Sequence, residues 1–158
     1  MNPYILLTVD GIDVVWNGER LTFLAGMQID GDGSGGNIEN DPDFQNDTSL
    51  HFEGQPLNAR EDKWIVLPPE IILAVPGIVL GCQAHVLNTN GLESDCVVGD
   101  VGPRGKLGEG SIALANAIAV PSNPVTGGLD RRVIRYAVYP GMPALVDGKQ
   151  YQLKAWGS

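Results

Sequence analysis

Two carboxylates, Asp100 and Glu109, sit in glycine-rich segments, Val97-Val98-Gly99-Asp100-Val101-Gly102-Pro103 and Leu107-Gly108-Glu109-Gly110-Ser111. The first segment ends an apolar run in an acid flanked by small residues. The second stands just ahead of a stretch with helical spacing. Carboxylates carried on backbone free of bulky neighbours can reach a bound substrate. One can protonate a leaving oxygen while the other activates water, which is the chemistry of glycoside cleavage. A turn Asp and a helix-capping Glu have the same signature, so the pattern alone leaves both structural roles open.

A second acidic constellation lies earlier in the chain. Between Leu21 and Ala59 there is no Lys or Arg, while Asp30, Asp32, Glu39, Asp41, Asp43, Asp47 and Glu53 all occur there. Gly31-Asp32-Gly33-Ser34-Gly35-Gly36 has the GxGxxG spacing of a dinucleotide loop. More carboxylates and no helical pattern follow it, so the helix N-terminus that would bind pyrophosphate is not expected. The same stretch partly fits a calcium loop, with Asp30, Asp32 and Ser34 at alternate positions and Gly35 at the sharp turn. Asn37 takes the usual apolar position and Asp41 stands where a bidentate Glu normally closes the shell, so that ligand set is incomplete. No Cys/His spacing suggests zinc, and the expectation is of no metal and no cofactor.

The formal net charge of −9 disfavours phosphate backbones and anionic lipid, so neither nucleic acid nor a membrane is an expected partner. A cationic ligand is the natural complement, and a groove walled by the acidic loop would concentrate a polycationic sugar. Solubility alone would account for the same charge.

The elements that position these residues follow from composition and turn signals. At 158 residues and 43% hydrophobic, the chain fits one domain able to bury its own core. Its 21 glycines and 11 prolines, set among Val, Ile, Leu and Thr runs, indicate short strands and many turns. Residues 4–24 read as a three-stranded meander turned at Asp10-Gly11 and Asn17-Gly18, dipeptides suited to type I′ geometry. Residues 31–55 read as a long loop able to carry function. Trp64-Ile65-Val66-Leu67 is a strand stopped by Pro68-Pro69, and residues 78–87 pair with 92–98 across an Asn-Gly turn. Residues 111–119 form the one convincing helix, 133–139 a strand ending before Pro140-Gly141, and Asp147-Gly148 marks a last hairpin. Cys82 and Cys96 flank the Asn-Gly turn almost symmetrically, so they could meet as a disulfide or pack as thiols. The first residues lack the basic and long apolar regions of a signal peptide, and the apolar runs fall short of the roughly 20 residues of a membrane span. Export would then use another route or a removed leader.

Taken in order, six segments resemble the landmarks of glycoside hydrolase family 75, the fungal-type chitosanases. They are Met27-Gln28-Ile29-Asp30-Gly31-Asp32-Gly33, Asp47-Thr48-Ser49, Trp64-Ile65-Val66-Leu67-Pro68, Val97-Val98-Gly99-Asp100-Val101-Gly102-Pro103, Gly108-Glu109-Gly110-Ser111 and Tyr136-Ala137-Val138-Tyr139-Pro140-Gly141. The resemblance covers about residues 27–141 and is most specific at the GDxGP turn and the GE(G/A)S motif. It implies endo-hydrolysis of the β-1,4 linkages of chitosan, a glucosamine polymer, with inversion. Asp100 and Glu109 match the family's two essential carboxylates, and Asp30, Asp32, Asp47, Thr48 and Ser49 fall in segments implied to face the substrate. Gly31 stands where the family usually has Cys. Residues 1–26 would be a meander extension and 142–158 a C-terminal hairpin on a single catalytic domain.

The Gly-Asp-x-Gly turn is also similar to that of six-stranded double-psi barrels in other glycan-cleaving enzymes. The expected fold is therefore mainly β: a six-stranded double-psi-like barrel with one or two short helices and added hairpins. Glu109, near the start of the expected helix, would be held ionised by the helix dipole as the general base, leaving Asp100 as the acid. Burial of Glu109 would reverse those roles. The rival functions are a phage-type peptidoglycan or other glycan hydrolase, and a non-catalytic glycan-binding or virion structural module on the same barrel. A hydrolase of this kind would act on extracellular or cell-wall glycan. Oligomeric state has no signature in the sequence.

Overall fold

The computed structural model describes residues 2–35 and 41–157. Gly36, Asn37 and Glu39, which belong to the dinucleotide, calcium and acidic-loop readings, lie outside the described residues.

The chain opens as a meander of β1 (Tyr4–Val9), β2 (Ile12–Trp16) and β3 (Leu21–Asp30), each antiparallel to the next. Asp10 and Gly11 both adopt positive φ, 54° and 71°, the type I′ geometry that their side chains permit. The second turn is longer than a two-residue hairpin. Asn17 accepts hydrogen bonds from the Glu19 and Arg20 backbone N–H groups through its side chain, each at 2.9 Å, and that holds the loop.

Beyond a small hairpin of β4 (His51–Phe52) and β5 (Gln55–Pro56), the chain forms β6 (Trp64–Leu67) and helix α1 (Pro69–Ala74). Then follow β7 (Cys82–Leu87), β8 (Glu93–Val101), β9 (Glu109–Ser111), helix α2 (Ile112–Ala117) and β10 (Leu129–Pro143). The C-terminal hairpin is β11 (Leu145–Val146) and β12 (Lys149–Gln150), turned at Asp147-Gly148 with both residues at positive φ. Strands β3, β10, β7, β8, β6 and β9 close a six-stranded barrel, because β9 pairs back onto β3. Contacts β6–β8 and β3–β9 are parallel and the rest antiparallel. The expected mainly β, six-stranded barrel is present, with two short helices and strands outside the ring.

Strand β6 is buried at all four positions, which explains its unbroken apolar sequence. Trp64, Ile65 and Leu67 pack in the core with Met27, Tyr136 and Leu114, each buried large side chain contributing about 1.5–3 kcal/mol. Phe23 stacks on Tyr136 at 4.8 Å between ring centroids. Helix α2 begins where Ser111 accepts the Leu114 N–H. The second helix, α1, starts at Pro69, for the same proline pair that ends β6 has the φ that suits a first helical turn.

Strand β10 is longer than residues 133–139. It runs through Pro140-Gly141 to Pro143 with register breaks on both flanks, since irregularity rather than termination absorbs the proline. The Asn-Gly hairpin forms, but Ala84 rather than Cys82 lies opposite Cys96, and both thiols are free and buried. Among the described residues, no helix is long and apolar enough to cross a membrane.

Candidate functional site

An open groove of about 990 Å³ lies at one end of the barrel, at the upper end of the range usual for ligand sites. Asp30, Asp32, Asp41, Asp43, Asp47, Asp100, Glu109 and Asp130 all line it, and Lys106 is the one cation among its described lining residues. The end of β3, the end of β8 and the start of β9 bring their carboxylates to this mouth.

The register explains how Asp100 and Glu109 come to flank Val66 at one groove. Val66 on β6 is paired with Asp100 of β8 on one side and Glu109 of β9 on the other. With neighbouring strands about 4.8 Å apart, the two backbones stand about 10 Å apart across one intervening strand. Gly99 makes this possible. The β6–β8 register jumps from Ile65↔Val98 to Val66↔Asp100, so Gly99 is an extra, bulged residue that re-aims everything after it. A Cβ at Gly99 would lie 2.7 Å from the Trp64 Cβ, so only glycine fits. Gly102 lets the turn after Asp100 pass close to Val66, because a Cβ there would lie 2.9 Å from Val66 Cγ1.

Asp100 is buried, and its Oδ1 accepts hydrogen bonds from the Ser49 N–H at 3.0 Å, the Ser49 hydroxyl at 2.6 Å and the Val101 N–H at 3.1 Å. Asp30 is equally buried, its Oδ1 accepting the Asp32 N–H at 2.9 Å and its Oδ2 the Trp64 indole N–H at 3.1 Å. Asp32 accepts the Gln45 N–H at 2.9 Å. Carboxylate oxygens of Asp30, Asp32 and Asp100 lie within 4.8 Å of one another. Like charges at that spacing raise the proton affinity of a neighbouring carboxyl, and Asp100 and Asp32 both carry that rise. Burial first, then the Asp30 charge, pushes Asp100 up to about 7, against the lowering hydrogen bonds from Ser49. Burial and then Asp30 push Asp32 up to about 8, against the Gln45 N–H.

Glu109 is in a different environment. Burial raises its carboxyl above the ordinary range, but Lys106 stands 2.9 Å from Oε1 and opposes the rise. The helix dipole expected to hold Glu109 is not its partner. Glu109 opens strand β9, Ser111 is the cap of α2, and the countercharge comes from the loop before β9. Ser111 is fully buried and its hydroxyl does three things: it donates to Asp62 O at 2.7 Å and accepts the N–H groups of Trp64 and Leu114, each at 3.2 Å. That welds β9 to β6 and α2 immediately behind Glu109.

The segment 47–49 divides into separate tasks. Asp47 is at the groove rim, where the His51 ring, 2.6 Å away, holds its carboxyl below the usual range. Thr48 is buried, and its hydroxyl donates to Leu50 O at 2.6 Å and accepts the Leu57 N–H at 3.0 Å. Its hydrogen-bonding capacity is committed to shaping the loop. Ser49 is committed to Asp100. Ser34, expected as an oxygen neighbour of Asp30 and Asp32 in a calcium loop, instead pairs as a bridge with Asn58, and Asp100 supplies the third carboxylate of the cluster. Lys106 and Trp64 are the site residues that sequence reasoning passed over as such. The three-residue spacing of Lys106 and Glu109 was a readable sign of an ion pair, whereas nothing local links Trp64 to Asp30.

No family model matches this chain, and no curated protein is significantly similar to it.

Proposed function

We propose that the protein is an endo-acting, inverting glycoside hydrolase that cleaves the β-1,4 linkages of a glucosamine polymer of the chitosan type. The observation that carries the reading is the placement of Asp100 and Glu109 on either side of Val66, facing one acidic groove. Strands about 10 Å apart leave their side chains room to hold carboxyl groups at the roughly 6.5–9.5 Å of an inverting pair, with a water between one of them and the sugar. Asp100, raised to about 7 by burial and Asp30, keeps a proton on part of the molecules at neutral pH and, as the raised member of the pair beside Val66, acts as general acid. Glu109, held by Lys106, is the base that takes a proton from water. The remaining carboxylates of the groove attract and orient the ammonium groups of the substrate.

The test is incubation with chitosans of defined acetylation, mass analysis of the products and determination of the anomer first released. Asp100→Asn and Glu109→Gln should each fold normally and lose at least about two orders of magnitude in rate. Near wild-type hydrolysis by both variants would remove the pair from the mechanism. Release of cell-wall fragments with no action on chitosan would move the substrate to peptidoglycan.

A further inference from the structure

Lys106 is an anomaly in a groove whose other described charged lining residues are all carboxylates. A cation there repels a cationic polymer, so its presence needs a reason. It projects from the loop joining β8 to β9, and its ammonium lies 2.9 Å from Glu109 Oε1, with Lys106 40% exposed and Glu109 14%. The loop itself is anchored. Glu70 of α1 accepts the Gly105 N–H at 2.7 Å, one residue before Lys106, and Gly105 and Gly108 take positive φ on either side of it. A Cβ at Gly108 would lie 2.7 Å from Gly26 O, and the Gly108 carbonyl accepts the Gln28 N–H at 2.9 Å, so the backbone leading into Glu109 is fixed against β3. The backbone that carries both members of the Lys106–Glu109 pair is therefore set by the barrel.

We propose that Lys106 is the positioning residue of the acid/base pair, its ammonium fixing the Glu109 carboxylate on the groove wall in the ionised form that accepts a proton from the attacking water. This rests on the glycoside hydrolase reading above and assigns a residue to it. The other charges facing Glu109 are acidic: Asp30 from β3 and Asp43 from the loop after it act directly, and Asp100 stands across Val66 on β8. Tyr136, buried on β10, is neutral near neutrality because its own hydroxyl is pushed well above its ordinary value. The acidic neighbours Asp30 and Asp43 thus favour the protonated, inactive form of Glu109, as does burial. Without the lysine the base would be neutralised over part of the working range. A hydrogen-bonded ammonium also stops the carboxyl from rotating away from the water it must activate.

The experiment compares wild type, Lys106→Met and Lys106→Arg by two independent readouts. The first is the pH profile of kcat/KM on one chitosan, in which titration of the substrate amines is common to all three proteins. Lys106→Met should shift the acidic limb upward by about one pH unit, and Lys106→Arg should keep it near wild type. The second is direct carboxyl titration by ¹³C NMR with glutamate side chains labelled, Glu109→Gln identifying the signal. Glu109 should titrate about one unit higher in Lys106→Met. A purely structural lysine would lower thermal stability and leave both readouts in place, and that result would overturn the proposal. A shift of the alkaline limb instead would make Glu109 the acid and overturn it equally. If wild type is inert on every chitosan, the hydrolase reading fails, while the NMR titration still decides whether Lys106 controls Glu109.

Discussion

Asp100→Asn should make the protein more stable at pH 8 than wild type, by an amount that disappears toward pH 4. The reason is local. Asp100 Oδ1 already accepts three hydrogen bonds, which an Asn carbonyl oxygen can accept in the same way. The other oxygen becomes an N–H₂ group, a donor beside Asp30 and Asp32 in place of a competing negative charge. Asp100 is raised from its ordinary value of 3.8 to about 7. A raised acid contributes most to stability while protonated, below its unfolded value, and that contribution is lost as pH rises through the folded value. The gap of roughly 3 units corresponds to an upper bound of about 4 kcal/mol at 1.36 kcal/mol per unit. Sharing of protons with Asp32 reduces what one substitution recovers, so about 1–3 kcal/mol is expected at pH 8. That is about 2–4 °C in Tm per kcal/mol for a chain of this size. Urea or thermal unfolding of both proteins at pH 4, 6 and 8 measures it. A variant less stable than wild type at pH 8, or a difference independent of pH, would refute the account of the cluster as mutually repelling carboxylates.

Two other outcomes follow from the site and its support. The KM for a highly deacetylated chitosan should rise several-fold between low and high salt, because the groove carboxylates act through a screened field; steady-state kinetics at fixed pH reads this, and an unchanged KM would deny them a part in capture. Ser111→Ala should lower stability by about 1–3 kcal/mol, because its buried hydroxyl serves three backbone groups at once, and differential scanning calorimetry would register a loss below 0.5 kcal/mol as evidence against that weld.

The fold was legible wherever one residue type decides a local geometry. Asp10-Gly11 and Asp147-Gly148 need positive φ at both positions, and these dipeptides supply it. The all-apolar run 64–67 required burial on both faces, and β6 has it. Elements were missed where the same residue has two meanings. Pro68-Pro69 reads as a stop for β6 and also starts α1, and Pro140-Gly141 reads as a stop although β10 absorbs it as irregularity. For the site, sequence marked Asp30, Asp32, Asp100 and Glu109 as candidates but could not divide the labour among their neighbours. Ser49 supports Asp100 across 51 positions and Trp64 supports Asp30 across 34. Such contacts depend on barrel closure, not on spacing. The expected helix-dipole support for Glu109 was displaced by a nearer charge, since an ion pair at 2.9 Å outweighs the terminus of a six-residue helix whose cap is Ser111.

The arrangement separates two carboxylates that share one groove by giving them opposite electrostatic companions. Asp100 stands among acids and is driven toward the protonated form. Glu109 stands beside Lys106, which opposes the protonation that burial favours. The difference arises from topology rather than from the acids themselves. Strand β8 ends beside β6 on the face where Asp30 and Asp32 emerge from β3, whereas β9 is entered from the loop that carries Lys106. Removing the companions should therefore bring the proton affinities of the two carboxyls closer together. Neutralising Asp30 lowers the proton affinity of Asp100, and removing Lys106 raises that of Glu109, so the two changes together narrow the pH window in which one acid is protonated while the other is not. The cost of holding like charges at this spacing falls on the barrel, whose closed ring of backbone hydrogen bonds and buried Trp64 resist the spreading that repulsion would otherwise cause.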